Sequence, residues 1–345
     1  MIPSTIIDKV LVQAQESATH SWEYGAVCEA LFEYHNPELS AFHHSFPADQ
    51  ILTLSVEDIS ALKYARSFIH TYSTTLCDGN GSSADPVSLG ISALLLSKNE
   101  PRYLRAAARQ LQHLLHNVPR YTNGAISHRK ASPSLWADYV YMVPPFLAYY
   151  VVFNDDVVLV QEAVRQRELY CDVLSTAKGP WKHIVNADGC NSNAKSDSEL
   201  WSTSNGWAVA GMARVLATIR QSRFSDETKN ERAVLVHMIR QILNGAMAFD
   251  TDKSGLVRNY IDDGAWFGEA GTFGKTYTEW AMQKRDVITL CIDHNVGIVK
   301  PVVNPLNERQ RTPLKSISPE GQAFVVLLYA PWRDWKSVTK ANDAS

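Results

Sequence analysis

The sequence predicts an all-α fold assembled from helical hairpins, and three observations carry that reading. Apolar residues recur at i, i+3, i+4 and i+7 through most of the 345 residues, whereas few stretches alternate with period two. Short and long connections alternate, as expected when hairpins gather their long loops at one end of a rigid scaffold. No identical repeat, low-complexity tract or linker divides the chain, so one domain over 1–345 is expected, with 1–20 as an N-terminal helix and 333–345 as a C-terminal tail.

In chain order, the periodic segments fall at 4–17, 23–34, 55–75, 86–97, 101–117, 134–151, 156–175, 201–219, 227–250, 268–282, 284–294 and 319–330. The clearest is 101–117, where Leu104, Ala107, Ala108, Leu111, Leu114 and Leu115 form one apolar stripe and Arg102, Arg105, Arg109 and Gln112 fall mostly outside it. Such a face requires a neighbour to bury it. Asp85 before Pro86 fits an N-cap followed by proline at the first helical position. The Pro144-Pro145 pair must end or kink the helix over 134–151, since proline has no N–H and its ring crowds the preceding turn. Turn-rich loops at 77–86, 123–134, 186–199 and 250–271 separate the helices. A helical repeat array would share the periodicity but would lack a closed pocket.

Charge and composition exclude several classes. The 33 basic and 36 acidic residues leave a net charge of -3, and no long Lys/Arg run marks a surface for nucleic acid or an anionic membrane. No apolar run approaches the roughly 18 residues of a membrane span. Asp8, Lys9 and Glu16 interrupt the stretch where a signal peptide would be apolar. A soluble, cytoplasmic protein is therefore expected, as a monomer or homodimer. The five cysteines, Cys28, Cys77, Cys171, Cys190 and Cys291, are scattered without a CxxC pair and read as reduced thiols. With no HExxH, GxSxG, Walker loop or dinucleotide fingerprint, no metal and no cofactor are expected, and serine-elbow or nucleotide chemistry loses support. Nine tryptophans are the unusual count; they supply core area or line a sugar-binding cleft, and composition alone separates neither.

Three segments hold the chemistry. In SPSLWADYVYMVPPFLAYY (132–150), helical projection puts Asp138 on one stripe with Leu135, Met142 and Phe146. An ionised carboxylate is costly there, and desolvation would raise its pKa as a general acid requires. The competing reading is a buried structural Asp bonded to an amide or a Tyr hydroxyl. Asp85 is either a cap alone or a second carboxylate at a helix mouth. His183, in GPWKHIVNADG beside Trp181, is a loop histidine able to meet a hydroxyl or carboxylate, and His43-His44 is as ambiguous. In ELWSTSNGWAVAGMARVLATI (199–219), Trp201 and Trp207 with Asn205 between them form either a sugar platform or packing.

Taken together, about residues 80–332 resemble glycoside hydrolase families 88 and 105, the unsaturated glucuronyl and rhamnogalacturonyl hydrolases. Asp85 followed by PRYLRAAARQL is similar to the family's Asp and "LY…YL.AA" run. GAISHRKASPSLWADYVYMVPPFLAYY is similar to "G.F.H" leading to "W.DGLYM..PF.A"; GPWKHIV and WSTSNGW are similar to "G…H" and "W.RGNGW". SGLVRNYIDD, GEAGTFGKTY and EGQAFVVLLYA resemble the later motifs. The resemblance implies an (α/α)6 barrel of six helical hairpins and hydration of an unsaturated sugar, with a small-molecule or oligosaccharide substrate. It implies Asp138 as general acid/base, Asp85 as the second acid, and His183, His128, Trp136, Trp181, Trp201, Asn205 and Trp207 as substrate-binding residues.

The chain departs from the pattern at Thr203 and Ser204, which stand where the family has Arg and Gly, and at Tyr139-Val140, bulkier than the family's Gly after Asp138. Bidentate capture of a carboxylate is lost at position 203. Lys182, Arg129 and Lys275 are the cations able to substitute. Three functions compete: an unsaturated-uronyl hydrolase, a tailoring hydratase, dehydratase or cyclase acting on a less charged metabolite, and a non-catalytic sugar-binding protein. Trp22, Glu23 and Tyr24 are the N-terminal residues able to join the site.

Overall fold

The computed structural model describes residues 2–42, 55–154, 157–190, 194–264 and 276–343. His43, His44, Lys275 and the GEAGTFG motif lie outside the described residues. Among those described, twelve α-helices and one two-stranded sheet form. The first hairpin is α1 (Ser4–Ser17) and α2 (Ser21–His35), followed by α3 (Ser60–Arg66), α4 (Gly90–Leu96) and α5 (Arg102–His116). Next come β1 (Ser134–Trp136), α6 (Tyr139–Met142), α7 (Pro144–Asn154), α8 (Val157–Leu174) and β2 (Ile184–Asn186). The chain ends with α9 (Ser202–Gln221), α10 (Lys229–Phe249), α11 (Tyr277–Leu290) and α12 (Pro319–Asp343).

Apolar stripes determine how these helices close on one another. In turn, α2 packs on α3, α3 on α4, α4 on α7 and α7 on α9. Trp207 of α9 meets Phe324 of α12 edge to face at 4.4 Å, and α12 returns to α2, so the inner helices form a closed ring. The outer helices α1, α5, α8 and α10 back this ring. Close approach requires glycine at one crossing: a Cβ on Gly211 of α9 would lie 2.1 Å from the Val140 carbonyl oxygen of α6. Among the described residues no helix is long and apolar enough to cross a membrane.

Several expected helices are redrawn. Over 55–75 only a 3-10 turn at Val56–Asp58 and α3 form. The following Thr/Ser-rich stretch leaves the helix, since such side chains compete for backbone hydrogen bonds; His70 N–H donates to Leu76 O, and Gln110 Oε1 accepts from Leu76 N–H at 3.0 Å. The segment expected as one helix over 134–151 begins as β1, and the helix after it is broken between α6 and α7 at the proline pair. The expected helices at 268–282 and 284–294 are replaced in the described part by α11 alone, started by a capping box of Thr276 and Glu279. The last helix passes through Pro331 to Asp343, so most of the span expected as a tail is helical; Arg285 of α11 lies 3.7 Å over the Trp332 ring.

A buried ion cluster ties α9 to α2. Arg214, 3% exposed, bonds Glu33 at 2.5 Å, has Glu29 at 3.5 Å, and lies 4.7 Å over the Tyr141 ring. Burial pushes Glu33 up to about 7 although Arg214 pulls the other way. Removing one partner from such a cluster strands the others in a poorly solvating interior. Arg214→Met is expected to lower unfolding free energy by about 3–5 kcal/mol at pH 7.5. Part of that loss should return on acidification, as the stranded carboxyls take up protons. Urea midpoints at the two pH values test this; an unchanged midpoint at pH 7.5 would contradict it.

Candidate active site

Short hydrogen-bonded strands, rather than a long helix, place the central acid. Strand β1 pairs antiparallel with β2, Leu135 opposite Val185 and Trp136 opposite Ile184. Ala137 N–H extends the ladder by donating to His183 O at 3.0 Å, which brings His183 alongside Asp138. Asp138 is therefore not on the face of a long helix, as its projection suggested; it sits at the turn between β1 and α6. It is nonetheless buried, 9% exposed, so the expected desolvation stands although its assumed cause does not.

The Asp138 carboxylate has Oδ2 3.5 Å from His183 Nε2 and no shorter hydrogen bond to that oxygen. Burial raises its pKa, partly offset by His183 and Lys195. Asp85 opens a 3-10 turn over Asp85–Leu89, and its side chain does not cap. Ser82 Oγ does that work, accepting from Ala84 and Asp85 N–H at 3.1 and 3.0 Å. The expected N-cap role is thus corrected: the Asp85 carboxylate is left for other partners, with Oδ1 3.5 Å from His128 Nε2. Burial, then the charge of Asp138, pushes Asp85 up to about 7. His128 is held well below its ordinary value by burial and neighbouring cations, which keeps it neutral.

Aromatic rings enclose these groups. His128 stacks on Trp136 at 4.6 Å, and His183 meets Trp136 at 5.7 Å and Trp201 at 4.5 Å. Trp201 Nε1 donates to Asn259 Oδ1 at 2.8 Å. Trp136 alone of the four anticipated tryptophans is half-buried; Trp181 and Trp207 are enclosed in the core. Asn205 spends its amide on the scaffold: Oδ1 accepts from Trp181 N–H at 2.7 Å, and Nδ2 donates to Trp181 O and Trp201 O at 3.0 and 2.9 Å. These contacts fix Asn205 and Trp181 in the scaffold, while Trp207 packs between Tyr141 and Phe324.

Other residues at the site had no readable signal in the sequence. Asp197, in the polar loop after β2, has Oδ2 3.0 Å from His183 Nδ1, accepts from Tyr260 OH at 2.7 Å, and binds Arg309 through Oδ1 at 2.6 Å. Glu320, at the start of α12, accepts from Trp22 Nε1 at 3.1 Å while its Oε1 is buried without a partner. Burial and the charges of Glu23, Asp138 and Asp85 push Glu320 up to about 8, against the Trp22 hydrogen bond. Trp22 thus joins the site from the N-terminal hairpin. Glu23 also caps α2, and Tyr24 stacks on Phe68 at 3.8 Å.

Cations stand at the rim rather than on the acids. Arg129 and Lys195 lie 5.7 and 5.3 Å from the Trp136 ring centroid. Lys195 is paired to Glu308 at 2.6 Å. His183, Asp197 and Glu308 offer ligand atoms within 4.8 Å of one another, a spacing a metal ion would tolerate. Tyr260 and Arg309 also donate to Asp197, and Lys195 to Glu308. As they stand, the three side chains are thus held by hydrogen bonds as well.

Solved structures share this architecture. A possible member of the GH105 family from Klebsiella pneumoniae aligns over 96% of this chain and 93% of its own with TM-score 0.72 and 16% identity. A family 105 glycoside hydrolase from C. acetobutylicum aligns over 96% and 99% with TM-score 0.71 and 15% identity. An unsaturated glucuronyl hydrolase specific for heparin aligns over 97% and 96% with TM-score 0.64 and 10% identity. These likenesses establish the fold as the all-α barrel of helical hairpins. In sequence, the unsaturated rhamnogalacturonyl hydrolase YesR of Bacillus subtilis is 23% identical over 274 residues, 72% of this chain and 76% of that one. The model of Glycosyl Hydrolase Family 88 matches residues 7–287, a span that contains Asp85, His128, Asp138 and His183 together. By that match the chain belongs to Glycosyl Hydrolase Family 88 and is a glycoside hydrolase.

Proposed function

We propose that this glycoside hydrolase hydrates the 4,5 double bond of a terminal unsaturated uronic acid, with Asp138 as general acid/base. The observation that carries the reading is Asp138 itself: a buried carboxyl with a raised pKa, Oδ2 3.5 Å from His183 Nε2, and within electrostatic reach of a second buried acid, Asp85. Asp138 protonates C4 of the vinyl ether. Water then adds at C5 and returns a proton to Asp138, giving a hemiketal that opens and releases the sugar. One residue serves both half-steps, so the carboxylate spacing that separates retaining from inverting glycosidases does not apply. Asp85 and Glu320 complete the acidic side, and Trp136 with His128 and His183 forms the aromatic wall. The unsaturated rhamnogalacturonyl and glucuronyl hydrolases among its likenesses support the substrate class.

A second reading, the same chemistry on a less charged metabolite, is favoured by two observations. Asp85, Asp138 and Glu320 lie close enough to influence one another, and Thr203 stands where the family motif has arginine. An incoming carboxylate would meet these acids without a bidentate cation at position 203.

Loss of the ultraviolet absorbance of an unsaturated glucuronyl or rhamnogalacturonyl disaccharide is the expected signal. Asp138→Asn should lower its rate by about 10²–10⁴-fold with the melting temperature preserved. No turnover of either disaccharide, with turnover of their methyl esters, would replace the first reading by the second. The reaction needs the protonated acid, and burial raises the pKa of Asp138, so kcat/KM should decline as the pH rises. A rate that climbs from pH 6 to pH 9 would contradict this assignment.

A further inference from the structure

The geometry points to Asp197 as a positioning residue that fixes the tautomer of His183 and thereby keeps the transferable proton on Asp138. This rests on the reading of Asp138 as the acid. Asp197 is held rigidly: it forms a bridge with Ile184 of β2, with Ile184 N–H donating to Asp197 O at 2.6 Å and Asp197 N–H to Ile184 O at 3.2 Å. Its side chain is fully buried, and both oxygens are engaged. Burial alone would raise its pKa, but hydrogen bonds from His183 and Tyr260 outweigh it and hold the carboxyl below its ordinary range.

An ionised carboxylate only accepts hydrogen bonds. The contact at 3.0 Å therefore requires the hydrogen on His183 Nδ1. In a neutral imidazole the other nitrogen then carries a lone pair, and that nitrogen faces Asp138 Oδ2 at 3.5 Å. Two acceptors facing each other repel unless a proton lies between them. With Nδ1 committed to Asp197 and the ring neutral, a protonated Asp138 supplies it; hydrogen found on both ring nitrogens of the parent protein would place that proton on His183 instead and overturn the proposal. The Trp136 and Trp201 rings hold the imidazole plane on either contact. His183 thus becomes more than a substrate contact: it is the seat on which the acid's proton rests between turnovers, and it is returned unchanged because Asp138 gives one proton to C4 and recovers one from water.

The sharpest test is Asp197→Asn in the full chain. Arg309 donates at the Oδ1 position, so the asparagine oxygen stays there and its NH2 turns to His183 Nδ1. The ring must then carry its hydrogen on Nε2, facing Asp138. Nitrogen-15 NMR of the imidazoles, with His183 assigned by its disappearance in His183→Gln, should find the hydrogen on Nδ1 in the parent protein and on Nε2 in the variant. The kcat on the uronyl disaccharide should fall by about 10²–10⁴-fold with little change in KM. A hydrogen that remains on Nδ1, or a kcat within about threefold of the parent, would overturn the proposal. Tyr260→Phe provides an independent measurement should the first variant not fold: one of the donors on Asp197 is lost, and kcat should fall about tenfold with the hydrogen still on Nδ1. Parental kcat in that variant would count against the role. The NMR result needs no substrate, so inversion of the tautomer in a protein without uronyl turnover would sink the functional reading and leave the role of Asp197 standing.

Discussion

The site depends on a ladder only a few residues long. Strands β1 and β2 share three residue pairs, and the next rung, Ala137 N–H to His183 O, sets the distance between the acid and the imidazole. Asp197 then joins the other side of β2, so three loop segments converge on one hydrogen-bonded strip. Each is too short to form a sheet alone, since isolated pairs of strands are marginal in water. The helical ring supports them: Asn205 at the start of α9 locks the backbone of Trp181 and Trp201 on both sides of His183. Rigid helices hold the irregular strip, and the strip holds the chemistry.

The tryptophans divide the same way. Trp136 and Trp201 touch His183, and Trp22 bonds Glu320, so these three rings meet titratable groups of the site. Trp181 and Trp207 fill the core, where Trp207 bridges Tyr141 and Phe324 and helps close the ring. Trp332 and Trp335 pack against each other on the last helix. A high tryptophan count therefore reflects both core and site, and only the partner of each indole nitrogen or ring face separates them.

How much was legible follows from the kind of signal each residue leaves. Helices with clear stripes, such as α5, were readable because burial of one face writes a 3.6-residue period into the chain. The burial of Asp138 is legible for a partly wrong reason: the apolar stripe around it is real, but the first residues of that stripe belong to β1, since a three-residue strand is too short to show alternation. Asp85 looked like a cap because Asp-Pro has the composition of one, while Ser82, three residues earlier, takes the amides. Asp197 lies among Ser, Asp, Asn and Lys in a loop with no periodicity, and its partners Tyr260 and Arg309 are distant in sequence. Glu320 was similarly hidden at an ordinary acidic helix start. Long-range hydrogen bonds between loops leave no local pattern.

Burial does not by itself decide which carboxyl holds a proton. Asp85, Asp138, Glu320 and Asp197 are all removed from water, yet the first three are raised and Asp197 is lowered. The difference is the number of donors. Asp197 receives His183, Tyr260 and Arg309, whereas Glu320 receives one indole N–H, and Asp138 Oδ2 has only the His183 contact at 3.5 Å. Among these buried groups Asp197 is the one held toward the anion, and the other three are held toward the protonated form. Among the described residues no Lys or Arg forms an ion pair with Asp85, Asp138 or Glu320. Protonation is then the means by which these acids avoid mutual repulsion, and a protonated carboxyl is what addition to a vinyl ether consumes. Lys195 and Arg129 pull Asp138 and Asp85 the other way, but burial outweighs them, so carboxyls with no cation paired to them keep their protons.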